Sequence, residues 1–256
     1  MFPIRDDNPH FLTPWTTWAL VAANALAWAF VQGWGSESEL VRSICLHGLV
    51  AGELLQTVPA GAQFPLGDGV SCTVTGVAHP STLLSHMFLH GSWMHLIGNM
   101  WFLWIFGNNV EDSMGHARFL VFYLLCGLAA AAAQIYSDPG SGIPMVGASG
   151  AIGGVMGAYV MLYPRVRVHL LVWLGFYVTT FAVPAIWMLG YWLLVQLFGG
   201  LGSMGAQTGG VAFWAHVGGF LAGALLVGGF RKRELVDRHP HHGWRDRRER
   251  FDPWDA

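Results

Sequence analysis

The sequence is poor in charge. Only 11% of its 256 residues are Asp, Glu, Lys or Arg, against about 25% in a soluble domain, whose surface must stay wet. A chain with so little charge cannot clothe itself in water-facing side chains. The same shortage excludes a disordered segment, a coiled coil and a nucleic-acid binder. The net charge of −2 leaves no global field to draw in a charged partner. Cysteine is scarce as well, with three residues. What is abundant is apolar: 54% of the chain is hydrophobic, with 34 glycines and 13 tryptophans. Glycine lets membrane helices approach closely and tryptophan favours the interfaces, so the class implied is a helical membrane bundle.

The few charges divide the chain. Charge-free stretches cover 8–36, 69–110, 119–137, 139–164 and 168–230. A spanning helix needs about 20 apolar residues, and the last stretch is long enough for two, split by the glycine-rich 199–210 segment. The expectation is an all-α polytopic bundle of six spans, at about 13–34, 82–107, 116–137, 146–163, 167–198 and 211–230. With a cytoplasmic N-terminus, Arg5, Arg118, Arg165, Arg167, Arg231, Lys232 and Arg233 all fall inside and only Arg42 outside. Both termini are therefore expected in the cytoplasm. The start, MFPIRDDNPH, lacks a basic n-region and a small-residue cleavage site, so no cleavable signal peptide is expected. Three parts follow: an N-terminal segment 1–12, a six-helix domain 13–230, and a charged tail 231–256.

The first outside loop, about 35–81, is too long for a simple connector, and its apolar groups suggest a short helix. Cys45 and Cys72 lie in it, either as two thiols or as a disulfide fastening the loop. Cys126 falls within the third span and reads as packing.

Polar residues inside spans are costly and therefore informative. They are Asn24, His86, His90, His95, Asn99, Gln134, Ser149, Gln196 and His216, with no carboxylate or cation among them. That argues against a proton-coupled carrier. Counting up from the cytoplasmic charges at 1.5 Å per residue puts Ser149 and His95 at about 24 Å, His216 at about 22 Å and Asn99 at about 18 Å. Four polar groups from three spans converge on one layer of a core about 30 Å thick.

The fourth span, counted from Gly147 to Tyr163, is too short to reach the outer surface, so the segment before it must dip inward. Ser149 then stands at a helix N-terminus beside unpaired N–H groups, a setting that suits a developing oxyanion. Close helix packing is the blander explanation of the glycines around it. Gly219 and Gly223 let the sixth span lie against a close neighbour, the glycine-lined fourth. A serine and a histidine at one depth on such helices make a nucleophile–base dyad; a lone intramembrane histidine is otherwise a packing residue or half of a haem ligand pair. His95 and Asn99, spaced i and i+4, share one face and both donate hydrogen bonds. No metal-binding pattern accompanies them.

Three motifs in order, HGSWMHLIGN (90–99), GASG (147–150) and AHVGGFLAG (215–223), resemble the rhomboid family of intramembrane serine proteases. The resemblance implies Ser149 as nucleophile and His216 as base, with an oxyanion hole from His95, Asn99 and the Ser149 N–H. His90, Gly147, Gly150, Gly219 and Gly223 would support them. It also implies a structural role for Glu111 in VED (110–112), a lateral gate near the fifth span and the cap loop before the sixth, and no metal or organic cofactor. The partners implied are transmembrane protein substrates and lipid, the location a bacterial inner membrane. Two positions depart from the family pattern: Ser81–Thr82 stand where some members carry Trp-Arg, and Gly153 stands where many carry an aromatic residue under the histidine. A non-catalytic membrane-protein escort is the alternative within the same fold.

Overall fold

The computed structural model describes residues 2–67, 70–203 and 211–243. In chain order its elements are β1 (Phe2–Asp6), α1 (Trp15–Phe30), α2 (Glu37–His47), α3 (Ala51–Leu54), β2 (Gln63–Gly67), β3 (Val70–Thr73), α4 (Thr82–Ser85), α5 (Trp93–Met114), α6 (His116–Ser137), α7 (Ser149–Leu162), β4 (Arg167–Leu174), β5 (Tyr177–Pro184), α8 (Ala185–Gly202), α9 (Phe213–Phe230) and α10 (Arg233–Val236). Among the described residues, α6, α8 and α9 are long and apolar enough to cross a membrane. Much of the tail, and the middle of the glycine-rich cap loop, lie outside the described residues.

The chain is mostly helical but not all-α. The expected fifth span, 167–198, is the clearest correction: its first half is the antiparallel β4–β5 hairpin, and the helix begins only at Ala185. The run VRVHLLVWLGFYVTTFAVP is dense in β-branched and aromatic residues, which favour a pleated strand over a helix. Gly175, at φ +61, opens the two-residue loop between Leu174 and Tyr177, as a tight hairpin turn requires. Pro184 then marks the start of α8. β1 adds to the other edge of β4, giving the order β1–β4–β5. The second span is also corrected. Residues 82–92 form α4, a single 3-10 turn and a connector, and the continuous helix starts at Trp93, where Ser92 Oγ accepts the His95 N–H at 3.1 Å.

The core is built on α7, whose residues are buried almost without interruption. α9 lies against it at backbone contact: a Cβ at Gly219 would overlap Gly150 O, and one at Gly223 would overlap Gly154 O. α6 closes the other side, with Gly154 under Cys126 and Gly150 under Ala130.

At the opposite end from Ser149, two neighbouring carboxylates of α5 tie the N-terminal segment down. Glu111 accepts the N–H groups of Thr16 and Thr17 at 2.8 Å each and the Thr17 hydroxyl at 2.7 Å, and pairs with His116 at 2.6 Å. It thereby caps the first turn of α1, whose N–H groups have no partner within the helix. Asp112 accepts the Phe11 and Leu12 N–H groups and pairs with buried His239 at 2.8 Å.

The first loop contains α2, α3 and the β2–β3 hairpin. Cys45 and Cys72 form a disulfide across it, with Cα atoms 5.4 Å apart. Of the two alternatives that the sequence left open, the bridge is the one present.

Candidate functional site

Ser149 is the first residue of α7 and half-buried. Its Oγ lies 2.7 Å from His216 Nε2, on α9. The approach of the two helices at Gly150–Gly219 and Gly154–Gly223 brings these side chains together; any bulkier residue at the seam would drive them apart.

On its other edge, His216 Nδ1 lies 2.7 Å from Gln196 Oε1, on α8. An amide oxygen only accepts, so Nδ1 carries the proton and Nε2 is left to accept the serine O–H. Trp192, one turn earlier on α8, packs on the imidazole at 5.7 Å and on Phe220 at 6.1 Å. Its ring comes within 3.7 Å of where a Cβ of Gly153 would stand. Trp192 of α8 thus lies beside both Gly153 and the imidazole.

The backbone before Ser149 is specialised. Gly147 has φ +129, a conformation that side-chain-bearing residues rarely adopt, and its N–H donates to His86 O at 2.9 Å. A Cβ at Gly147 would sit 2.8 Å from His95 Nε2 and 3.4 Å from Ser149 Oγ. The absent side chain therefore leaves open the space between these two groups. His95 Nδ1 accepts the Gly91 N–H at 3.3 Å, so Nε2 is the nitrogen free to donate toward that space. Asn99, one turn along α5, is buried, and its Nδ2 meets no acceptor among the described residues. The N–H of Ser149, in the first turn of α7, has no acceptor within the helix. A cavity of about 10 Å³ beside Ser149, lined in part by His86, Ala130, Met145 and Ala215, has room for about one water.

His90 is fully buried, its ring set edge-on to His95 at 5.1 Å. The residue is tied through its backbone: Gln32 Nε2 donates to His90 O and Gln32 Oε1 accepts the His90 N–H, both at 2.8 Å. In the Ser81–Thr82 region, His86 Nδ1 bonds Thr82 O at 2.8 Å, and Ser85 Oγ donates to His47 O at 2.7 Å, linking α4 to α2.

Gln196 is the site neighbour that sequence reasoning left out. Counted as part of one helix from Arg167, it falls about 43 Å up, above the polar layer; counted from Ala185, it falls at about 17 Å, within reach of that layer. The missed hairpin hid it. The signal available was an amide one turn after a tryptophan in an otherwise apolar run.

A family model described as "Rhomboid domain" matches residues 78–233. The chain belongs to the rhomboid family. It is 34% identical over 157 residues to "Rhomboid protease GluP" of Bacillus subtilis, a match covering 60% of this chain and 28% of that protein. It is 27% identical over 150 residues to "Rhomboid protein 1, mitochondrial" of Saccharomyces cerevisiae, covering 56% and 40%. It is 31% identical over 169 residues to "RHOMBOID-like protein 4" of Arabidopsis thaliana, covering 65% and 36%. The matches span well under half of each relative. This rhomboid is a membrane protein of a family that contains proteases, and the matched region takes in α4 to α9, hence Ser149, His216, Gln196, His95, Asn99, His90 and His86.

Proposed function

We propose that this rhomboid is an intramembrane serine endopeptidase. The observation that carries the reading is the 2.7 Å contact between Ser149 Oγ and His216 Nε2. In this reading Ser149 attacks a peptide carbonyl of a transmembrane or membrane-proximal segment and passes its proton to Nε2 of neutral His216. The oxyanion is met by His95 Nε2–H, Asn99 Nδ2 and the Ser149 N–H. His216 then returns the proton to the leaving amine, and water hydrolyses the acyl-enzyme. Gln196 orients the imidazole as a neutral acceptor, so a Ser–His–Gln arrangement takes the part that a carboxylate plays in a charged triad. The unpaired Asn99 donor and the open space at Gly147 support an oxyanion hole on this side of Ser149.

The same reading holds six spans in a domain of about 13–230, with both termini cytoplasmic in a bacterial plasma membrane. The spans are α1, α4–α5, α6, the short α7, α8 and α9, with the β4–β5 hairpin inserted between the fourth and fifth. The basic residues at the ends of α7 and α9 support that orientation. Substrates are membrane proteins with a helix that unwinds locally.

The test is purified protein in liposomes with a transmembrane reporter, comparing wild type with Ser149→Ala and His216→Ala. Cleavage should be lost in both. Retained cleavage in either rejects the dyad. No cleavage by wild type, together with substrate capture unchanged by Ser149→Ala, identifies an escort protein instead.

A further inference from the structure

Gln32 stands just past the end of α1 and is fully buried. A primary amide in such a place is costly unless both its donor and its acceptor are used. Both are used on one residue, 58 positions away in the chain: Gln32 Nε2 donates to His90 O and Gln32 Oε1 accepts the His90 N–H, each at 2.8 Å. An amide suits the task, because it carries a donor and an acceptor on one planar group. His90 lies in the connector between the 3-10 turn (His86–Phe88) and α5. Aromatic rings close over the contact. The turn after Gln32, Gly33–Gly35, runs entirely at positive φ, and a Cβ at Gly35 would overlap the Trp28 ring. Trp28 and Trp34 pack on Trp93, the first residue of α5, at 5.1 and 6.2 Å.

The bond to His90 O reaches beyond His90. That oxygen and the Gly91 N–H belong to one planar trans peptide group, in which C=O and N–H point to opposite sides. Fixing the oxygen therefore fixes the direction of the N–H. The Gly91 N–H donates to His95 Nδ1 at 3.3 Å. Nδ1 is thus the accepting nitrogen and the ring proton stays on Nε2, beside the space that Gly147 leaves open next to Ser149 Oγ. Hydrogen bonds in series polarise one another, so donation to His90 O also strengthens the Gly91 N–H as a donor. Gly91 is exposed and has no side chain of its own to orient this peptide. The His95 backbone is held separately, its N–H donating to Ser92 Oγ at 3.1 Å. That bond places the residue on α5 and leaves the ring free to turn.

We propose that Gln32 is a positioning residue of the oxyanion hole, acting through the 90–91 peptide to hold His95 in the tautomer that donates from Nε2. The proposal rests on the reading of His95 as an oxyanion donor. Gln32 lies outside the region matched by the family model, which begins at residue 78. The first span, which brings no side chain to the reacting atoms, thereby sets where the proton of the donor stands. Without the clamp the 90–91 peptide turns toward water and Nδ1 loses its donor. The neutral ring then carries its proton on either nitrogen. With the proton on Nδ1, Nε2 presents a lone pair to the oxyanion and repels it.

The test combines a tautomer measurement with kinetics. Full-length protein labelled with ¹⁵N-histidine is reconstituted in liposomes and its imidazole nitrogens are read by solid-state NMR, at a pH where histidine is neutral. His95→Gln assigns the resonances. Wild type should show His95 as one tautomer, protonated at Nε2. Gln32→Met keeps the volume and removes both bonds, and its His95 should show both tautomers. Its kcat on a transmembrane reporter should fall about tenfold with KM within about twofold, less than the ~10²–10³ lost with an oxyanion-hole donor itself. Gln32→Asn, one methylene too short to make both bonds, should move both readouts in the same direction and serves where Gln32→Met does not fold. Ser85→Ala breaks a different tie of the first loop, the 2.7 Å bond to His47 O, and should leave tautomer and kcat at wild-type values whatever its effect on Tm. A wild-type His95 protonated at Nδ1 overturns the proposal without any variant. So does a tautomer, or a kcat, that is unmoved in a folded Gln32 variant. Wild type that cleaves nothing rejects the protease reading, and the tautomer readout then decides alone whether Gln32 positions His95.

Discussion

α7 and β4 follow one another in the chain, separated by four residues, and bury themselves by opposite means. α7 meets α9 through absent side chains: Gly150, Gly154 and Gly157 leave its backbone open to the backbone of α9. β4 meets the bundle through branched ones, with Val168 and Leu170 filling the core beside α8. The two regions share an apolar composition, charge-free but for Arg167 at the start of β4, so hydrophobicity alone does not distinguish them. What distinguishes them is side-chain volume at the contact. A seam of glycines places polar groups on two helices within hydrogen-bond distance. A sheet of β-branched residues fills space and holds β1, and its polar pairs, such as His169–Asp7, stand apart from Ser149 and His216.

The sharpest way to break that comparison is to give the seam a side chain. Gly223→Ala puts a Cβ into the Gly154 backbone, which cannot move aside. Overpacking of this kind costs about 1–3 kcal/mol, and parting of α7 from α9 should reduce cleavage by more than the stability loss explains. Gly228→Ala, on the same helix where no atom lies within 4 Å, should leave both unchanged. Thermal unfolding in detergent and reporter cleavage measure the pair; equal effects would mean that the seam is not what aligns the site.

A smaller effect is expected where the seam's histidine is held from α8. Gln196→Leu keeps the volume and removes the acceptor at 2.7 Å from Nδ1. A neutral hydrogen bond is worth about 0.5–1.5 kcal/mol, so kcat should fall by up to about tenfold, with KM little changed, well short of the ~10⁴ lost with a charged orienting group. Gln196→Glu should restore rate and move the acid limb of the pH profile upward, because a carboxylate beside the imidazole favours its protonated form. A pH profile unmoved by Gln196→Glu would show that Gln196 only packs.

The last effect belongs to the sheet and touches stability, not cleavage. Burial raises the Asp6 carboxyl from 3.8 to about 6, while the Tyr159 hydroxyl at 2.5 Å and the Asn8 N–H draw it down. A carboxyl that holds its proton more tightly folded than unfolded adds stability below about pH 4, and that contribution is lost as pH rises through about 6. Asp6→Asn should flatten this part of the stability profile, by at most about 3 kcal/mol across the window. Unfolding midpoints between pH 4 and 7 test it; an unchanged slope would mean that β1 does not bury Asp6.

Charge scarcity, glycine spacing and the order of the motifs made the membrane class, the family and the proximity of Ser149 to His216 legible. These signals are local: a charge in lipid is costly wherever it stands, and a glycine one turn from another presents a smooth helix face whatever its neighbour. The disulfide was legible only as one of two alternatives, because thiols do not announce their separation. The hairpin was not legible from charge at all. Apolar runs read alike as helix or strand, and β-branched content was the discriminating feature.

Composition by itself determined that this chain belongs in lipid, where its charged residues lie and which uncharged polar groups stand out against the apolar background. Tertiary structure decided which of those groups meet. Gln196 reaches His216 only because α8 begins at Ala185, and α8 begins there because β4 and β5 pair with each other and with β1 from the far end of the sequence. Pairing across such separations depends on where strands find partners, and no local pattern of residues carries that information.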